Sequence, residues 1–300
     1  MSRSLIGSVA SEKELWNLHY LYGASLKNLI DFSHRPNVYD EMVNKEMKKL
    51  SPRDFTKLLQ DHEAVINNSH FLISTGPLAA DRTSPERKVI SAYVLERICE
   101  QVFKNQVGEI RRLYTTLQDW STTMTAAGMI FKYRVHRFFR KSRVIKLFPI
   151  IASNRRRSIH TTDTKEAGET FTLPKSEELV FVDKPDTPPE VGTYYRPRNT
   201  HFPAIDSWLL FQPTLQGPPI LLAFQITPDK DECDVDMNGL ARVGNLVTAD
   251  TKKYLIIVTP TGVQPKIIMP EGYPTEAFPA GHGPDVAFTI YHLQIRDGSF

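Results

Sequence analysis

Thr193-Tyr-Tyr-Arg-Pro-Arg-Asn-Thr-His-Phe-Pro-Ala-Ile-Asp-Ser-Trp208 and Ile220-Leu-Leu-Ala-Phe-Gln-Ile-Thr227 are the two halves of the stretch around which the fold is predicted to form. In both halves, apolar residues stand at alternate strand positions and further apolar residues stand between them. Both faces of each strand would then be apolar, which is typical of strands in a mostly buried sheet. Between them, Gln216-Gly-Pro-Pro219 predicts a turn. We therefore expect two paired strands, with the rest of the chain arranged around them.

Three polar side chains lie at one end of this predicted strand pair. Pairing brings Asp206 beside Gln225, with the hydroxyl of Thr227 close to both. A carboxylate in an otherwise apolar strand is costly unless it is paired, hydrogen-bonded or bound to a metal. Two interpretations stay open at this point: Asp206 is a metal ligand, or it caps a turn by accepting hydrogen bonds from backbone amides.

The composition is typical of a globular intracellular protein. The chain has 300 residues, a soft prior for two domains, and 41% of them are hydrophobic. Cys99 and Cys233 are too few for a disulfide framework, which favours a reducing, intracellular compartment. We expect no secretory signal after Met1 and no membrane association, because no apolar run reaches the length of a bilayer-spanning helix. The net charge of +3 decides little by itself.

The first half of the chain is predicted to be helical. The predicted elements are helices from Ser11 to Asp31, over Asn37–Leu50, from Ser51 onward and over Val89–Val107, with a short strand at Phe71–Pro77. Ser11 is an N-cap candidate, because Glu14 completes a capping-box pattern. The sequence holds no Gly-x-x-x-x-Gly-Lys-Ser/Thr loop, so nothing supports ATP binding by this chain alone.

A strongly basic segment follows. A helix is predicted over about residues 126–141, with an apolar stripe on one face and Lys132, His136 and Arg140 on another, at i, i+4 and i+8. Between residues 120 and 162 the sequence has no acidic residue, yet it carries ten lysines and arginines. Such a surface is typical of phosphate binding, although like charges also mark solvated faces. Short runs such as Arg155-Arg-Arg157 equally resemble nuclear localisation signals.

The second half is predicted to be a mixed sheet with flanking helices. Besides the central pair, the predicted elements are strands at Phe171–Pro174 and Glu178–Val182 around a polar turn, a helix near Asn238–Val247, and strands at Lys253–Pro260, Val263–Pro270 and Val286–Ile295. Val263–Pro270 is expected to pair with Lys253–Pro260 across Thr261-Gly262. The acidic run after Pro228 lacks the glycine and the distal glutamate of a calcium loop, so we reject a calcium site.

Four motifs, taken in order, resemble a known family. They are Ala127–Phe131 leading to His136, Tyr195–Ser207, Phe224–Thr227 and Gly239-Leu240. This order resembles the C-terminal restriction-endonuclease-like domain of Crinkler effectors, which is related to the retrotransposon hot spot proteins of trypanosomes. The resemblance covers about residues 113–254. It implies a PD-(D/E)xK-type sheet fold and an ancestry among DNA-directed, metal-dependent phosphodiesterases.

The resemblance also implies a domain organisation and a location. Residues 1–115 would be a helical domain similar to the remainder of an NTPase module without its phosphate loop, and residues 116–300 would be the restriction-endonuclease-like domain. The helical domain would be where a protein partner binds. The implied location is intracellular, with the nucleus as the expected compartment. Secretion into a host is a property of the family for which this sequence shows no signal peptide.

The resemblance assigns a role to each polar residue of the strand pair. Asp206 would be the metal-binding carboxylate, and the backbone carbonyl of Ile226 would complete the shell of a Mg²⁺ ion. Gln225 stands at the position of the second acid, and Thr227 stands at the position of the lysine. Lys132 stands where family members often have a glutamate, directly after the phenylalanine of the first helix.

Lys132 changes the expected charge of the site. Mg²⁺ prefers hard oxygen ligands, usually one or two carboxylates, so a site with Asp206 as its only motif acid holds little negative charge. Lys132 would either stabilise the charge that develops on a reacting phosphate or repel the metal and disable the site. Weak or absent nuclease activity is therefore as open an expectation as full activity.

DNA is the expected partner of this chain. The cations expected to contact its backbone are Arg137, Arg140, Lys141, Arg143, Arg196 and Arg198. If the site is active, Asp206, Gln225, Thr227 and Lys132 are its catalytic residues. The alternative is a non-catalytic module on the same fold, which binds nucleic acid or another protein.

Overall fold

A computed structural model describes residues 12–23, 25–60, 71–77, 85–102, 107–118, 124–150, 158–159, 168–181, 188–197, 205–214, 217–228, 232–264, 266–268 and 288–295. The chain divides into two units, Met1–Phe131 and Lys132–Phe300, and the division falls inside one helix. Across the described ranges, no helix is both long and apolar enough to cross a bilayer.

Helices make up most of the described part of the first unit. Its elements are α1 (Glu12–Tyr22), α2 (Leu26–Phe32), α3 (Pro36–Met47), α4 (Pro52–Gln60), the antiparallel strands β1 (Ile73–Pro77) and β2 (Pro85–Val89), α5 (Ala92–Gln101) and α6 (Val107–Gln118). The strand predicted at Phe71–Pro77 is therefore present. The helix predicted from Val89 begins later, at Ala92, because the Ser91 side chain accepts a hydrogen bond from the Val94 N–H and caps the helix there.

The single helix predicted up to Asp31 is two helices, because the chain turns at Gly23. This glycine has a φ of +63°, in the left-handed region that residues with a Cβ rarely adopt. A Cβ at this position would also lie 1.7 Å from the carbonyl oxygen of Ile90. The turn therefore requires glycine. The N-cap predicted at Ser11 lies outside the described residues.

Replacing Gly23 with alanine is expected to lower the free energy of unfolding by about 2 kcal/mol or more, because the methyl group overlaps a backbone carbonyl. Urea unfolding followed by circular dichroism measures this loss. Gly108→Ala is the matched control, because a Cβ at Gly108 in α6 meets no atom within 4 Å. This control is expected to be neutral or stabilising. Equal losses in the two variants would contradict the role given to Gly23.

The second unit carries the mixed sheet. From the helix that crosses into it onward, the elements are α7 (Met124–Phe139), β3 (Arg143–Pro149), β4 (Ser158–Ile159), β5 (Glu169–Leu173), β6 (Glu177–Phe181), β7 (Thr193–Pro197), β8 (Ser207–Phe211), β9 (Ile220–Ile226), β10 (Glu232–Asp234), α8 (Met237–Gly244), β11 (Lys252–Pro260), β12 (Lys266–Ile268) and β13 (Thr289–Ile295). The predicted α/β class with a mixed sheet is confirmed.

Eight strands form the main sheet, in the order β5-β3-β13-β11-β9-β8-β7-β6. β11 runs parallel to both of its neighbours, β9 and β13. β8 runs antiparallel to β9, with Ser207 opposite Phe224, and every residue of β8 is buried. The strand pair from which the prediction starts is therefore confirmed. A smaller sheet has the order β10-β12-β4.

Several strand predictions differ from the structure. β5 and β6, expected around one turn, lie at opposite ends of the main sheet. The pairing expected between Val263–Pro270 and β11 is wrong: β12 pairs with β10 and β4, because β9 and β13 already occupy both edges of β11. β3 is not predicted at all, although its buried residues Ile145 and Leu147 alternate with the exposed Val144 and Lys146.

Helices cover the central strands on both faces. Phe139 of α7 stacks on Phe224 of β9, with ring centroids 4.0 Å apart. Leu240 and Val243 of α8 belong to the buried cluster that contains Trp208 of β8, whose side chain points to the other face. Burying a large apolar side chain contributes about 1.5–3 kcal/mol. This packing holds α7 against the strand pair, so that polar residues of the helix reach the end of the two strands.

His292 makes the second unit sensitive to acid. Its Nε2 lies 2.8 Å from Thr259 Oγ1 in the core, and burial lowers the pKa of His292 from 6.5 to about 4. Between pH 6.5 and pH 4, His292 is protonated in the unfolded chain but stays neutral in the folded chain. The contribution of the neutral His292 to the free energy of unfolding is therefore fully present above pH 6.5 and is lost as the pH falls toward 4.

Between pH 6.5 and pH 4, the free energy of unfolding of the His292→Gln protein is expected to fall by about 3 kcal/mol less than that of the wild type. Urea unfolding at a series of pH values measures the difference. His34→Gln, at an exposed histidine, is the control and should leave the pH dependence unchanged. A His292→Gln protein that loses stability in acid as steeply as the wild type would refute this assignment.

Candidate functional site

Asp206 lies where β8 begins. Its backbone N–H donates to the carbonyl of Phe224 at 2.8 Å, although the paired register ends with Ser207 opposite Phe224. Asp206 therefore lies directly beyond the last paired residue of β8, and Gln225 directly follows the partner of that residue in β9. The two polar positions that the sequence singles out thus lie at the same end of the strand pair.

Both oxygens of the Asp206 carboxylate are engaged. Oδ1 accepts a hydrogen bond from Lys132 Nζ at 2.7 Å, and Oδ2 accepts one from the backbone N–H of Ile226 at 2.7 Å. The carboxylate of Asp206 raises the pKa of Lys132, against the opposing effect of burial. The side chains remain 43% (Lys132) and 21% (Asp206) exposed, so solvent reaches this ion pair. The lysine that the sequence places in the helix therefore neutralises the only motif acid.

Only the NH₂ group of the Gln225 side-chain amide makes a hydrogen bond among the described residues. Its Nε2 donates to the carbonyl of Asp234 in β10 at 3.0 Å, and its buried Oε1 accepts no hydrogen bond from any residue in the described ranges. An unsatisfied buried acceptor costs about 1–3 kcal/mol. Two residues further along, the backbone N–H of Thr227 donates to the carbonyl of Val258, which holds the chain after β9 against β11.

Cys233 lies beside this ion pair in the buried cluster beneath β8 and β9. Burial, together with the charges of Asp206 and Asp234, raises the pKa of its thiol to about 12, against the opposing effect of Lys132. The thiol is therefore protonated at neutral pH. It is a weak nucleophile and a poor metal ligand, since both roles need the thiolate.

A buried polar network continues from the site along α7. Nδ1 of His136 lies 2.8 Å from the Tyr194 hydroxyl, which donates to Ser207 Oγ at 2.6 Å. Burial lowers the pKa of His136 well below its usual value, with further contributions from Arg196, Lys132 and Arg140. His136 is therefore neutral and serves as a hydrogen-bonding residue. The sequence analysis misses Tyr194 and Ser207, although Ser207 directly follows Asp206 in the motif.

Two of the predicted DNA contacts share one acid. Arg140 Nη1 lies 2.9 Å from Oε2 of Glu178, and Arg196 Nε lies 2.8 Å from Oε1 of the same carboxylate. The segment of residues 120–162 holds no acidic residue in the sequence, but in the structure Glu178 of β6 partly neutralises its positive charge. The sequence analysis misses Glu178, because the order of the strands brings it to α7.

Three further predicted contacts form a cationic cluster around the end of α7: Arg137 in its last turn, Lys141 after it and Arg143 at the start of β3. Burial lowers the pKa of Lys141, and the positive charges of Arg137 and Arg143 lower it further. The Arg143 guanidinium lies 4.4 Å from the ring centroid of Phe138, in cation–π geometry. The sixth predicted contact, Arg198, lies outside the described residues.

No protein-family model, curated protein or solved structure matches this chain. The resemblance to the restriction-endonuclease-like domain of Crinkler effectors therefore rests on the sequence motifs alone. Within the described part of the chain, no group of three or more His, Cys, Asp or Glu side chains could hold a metal ion.

Proposed function

We propose that the chain is a DNA-binding module on a restriction-endonuclease-like scaffold, in which an ion pair stands in place of the ancestral metal. The observation that carries this proposal is the contact of 2.7 Å between Lys132 Nζ and Asp206 Oδ1. An ammonium group in this position balances the carboxylate, so the pair itself offers no net negative charge to attract a divalent cation.

The contacts of Asp206 count against the expected Mg²⁺ site. The expected ligands are Asp206, Gln225 and the carbonyl of Ile226, which together bring one negative charge. Mg²⁺ sites usually combine one or two carboxylates with water and substrate phosphates in near-ideal octahedral geometry. Here a metal ion would have to displace Lys132 from Oδ1 and then lie beside its positive charge. These residues therefore do not fit the ion as they stand.

The cationic cluster supports binding to a phosphate backbone. Arg137, Lys141 and Arg143 bring three positive charges to one region, and the charges of the two arginines add to burial in lowering the pKa of Lys141. Like charges repel, so a partner of opposite charge would stabilise such a cluster. A run of phosphates is a partner of this kind, and it releases its counterions on binding.

The family resemblance sets this module in a wider context. As a Crinkler-like effector domain, it would act on DNA in the nucleus, and the helical first unit would serve as the surface for a protein partner. These assignments extend the proposal by analogy, because a shared scaffold does not fix a function.

The proposal predicts binding without cleavage. Purified protein is expected to bind duplex DNA with an affinity that falls steeply as salt rises, and to leave supercoiled plasmid intact with Mg²⁺ or Mn²⁺. Fluorescence anisotropy in a salt series measures the first result, and gel electrophoresis of the plasmid measures the second. Absence of DNA binding at low salt would overturn the proposal.

Metal-dependent cleavage is the second candidate function, favoured by the buried Oε1 of Gln225, an oxygen without a donor among the described residues. This function would require a metal ion or a substrate group to satisfy that atom. Plasmid cleavage that is present in the wild type and absent in Asp206→Asn would establish it. Cleavage of equal rate in both proteins would point to a contaminating nuclease.

A further inference from the structure

Glu178 of β6 holds two arginines that the sequence predicts as DNA contacts. Each of its carboxylate oxygens lies 2.8–2.9 Å from one guanidinium, that of Arg140 or that of Arg196. Two oxygens of a phosphate group can take up the same positions between the two arginines. We infer that this group is a phosphate-binding subsite closed by Glu178, and that a DNA phosphate displaces the glutamate when it binds.

The charges and exposures of the three side chains favour an incoming anion. The two guanidinium groups carry two positive charges against the single negative charge of Glu178. The Arg140 side chain is 46% exposed, whereas those of Glu178 and Arg196 are 13% and 14% exposed. Arg140 therefore offers a first contact at the surface, and the competing carboxylate lies behind it.

The scaffold keeps both arginines in position when the glutamate leaves. Arg196 belongs to β7, which is paired with β6 on one side and β8 on the other. Arg140 directly follows Phe139, whose ring is stacked on Phe224 of the central strands. Glu178 belongs to the last strand in the sheet order.

A cationic residue on the same helix face extends the subsite toward Asp206. Lys132 precedes Arg140 by eight residues, a separation of about 12 Å along the helix axis. Between them lies His136, which is neutral because burial lowers its pKa. Helix α7 and the residue directly after it therefore present two cations, each of which is held by a different acid in the absence of DNA.

The inference rests on the proposed DNA binding and adds that Glu178 limits its strength. Glu178→Gln removes the competing charge while it keeps an oxygen that can accept from the arginines. This variant is expected to bind duplex DNA about 3- to 10-fold more tightly at about 100 mM salt. The slope of log K against log salt concentration is expected to be steeper by about 1. Fluorescence anisotropy in a salt series measures both values.

Glu177→Gln is the matched control, because it makes the same change of charge at the neighbouring, exposed position of β6. We expect it to change affinity by less than about twofold. A second variant, Arg140→Gln, needs no change at Glu178 and should make the salt slope shallower by about 1. An unchanged slope in Arg140→Gln overturns the inference, even where Glu178→Gln does not fold.

The outcomes separate this inference from the proposed function. DNA binding by the wild type with equal or weaker binding by Glu178→Gln overturns the subsite and leaves the DNA-binding module standing. No binding by either protein overturns both. Tighter binding by Glu178→Gln, matched by an equal gain in Glu177→Gln, shows a general effect of charge and overturns the subsite.

Discussion

Replacement of Arg137, Lys141 and Arg143 together by glutamine is expected to lower the affinity for duplex DNA by about 100-fold at about 100 mM salt. The three side chains form one cationic cluster, and each phosphate that they neutralise releases counterions from the DNA. The slope of log K against log salt is therefore expected to become shallower by about 3. Fluorescence anisotropy with a short duplex, repeated over a salt series, gives both the affinity and the slope.

Two controls separate the position of these charges from their number. Lys27, Lys45 and Lys48 are exposed lysines of the first unit, and their replacement by glutamine removes the same three charges from elsewhere in the chain. This control should change affinity by less than about threefold. Lysine at positions 137 and 143 keeps the charge and should keep most of the affinity. If the control triple variant lost as much affinity as the cluster variant, the cluster would not be the binding surface.

The strand pair was predictable because its signals are local. Long apolar runs on either side of a Gly-Pro-Pro turn predict buried, paired strands, and the structure has β8 beside β9. From that pairing it follows that Asp206 and Gln225 lie at the same end of the strand pair. The contact with Lys132 needs one more element, because it requires α7 to lie against the end of this pair.

The partners of the basic residues were not predictable, because they depend on the order of strands in the sheet. Glu178 is distant from Arg140 in the sequence, and nothing local says that β6 lies beside β7 while β5 lies at the far edge. A segment of sequence without acidic residues can therefore lie, in the folded protein, beside an acidic residue from another strand. The same reason explains the wrong pairing of β12, since an apolar strand signal does not say which edge is vacant.

The contacts of Asp206 bear on the two interpretations that its sequence position allows. The sequence offered a metal ligand or a cap that accepts from backbone amides. In the structure, Asp206 accepts a hydrogen bond from the Ile226 N–H and also one from Lys132. A residue that satisfies its charge within the protein has less need of a metal ion.

Lys132→Glu is therefore expected to create a site that binds Mn²⁺ more tightly than the wild type does. The substitution changes the local charge by two units and places a second carboxylate beside Asp206, which supplies the hard, anionic ligands that Mg²⁺ and Mn²⁺ prefer. Coulomb energies near a protein surface are about 4 kcal/mol for unit charges 4 Å apart, so Mn²⁺ should bind at least about 100-fold more tightly. Isothermal titration calorimetry with Mn²⁺ measures the affinity without any need for catalysis.

Stability gives an independent measurement of the same change. Without metal, Lys132→Glu opposes two carboxylates and should lower the free energy of unfolding by about 2 kcal/mol, a loss that Mn²⁺ restores. Lys132→Met removes the cation without adding an acid and should show only a small gain in metal affinity. Asp206→Asn in the Lys132→Glu background should abolish the gain. Tight binding of one Mn²⁺ by the wild type, lost in Asp206→Asn, would show instead that the lysine moves aside and that Asp206 binds the metal ion in the wild type.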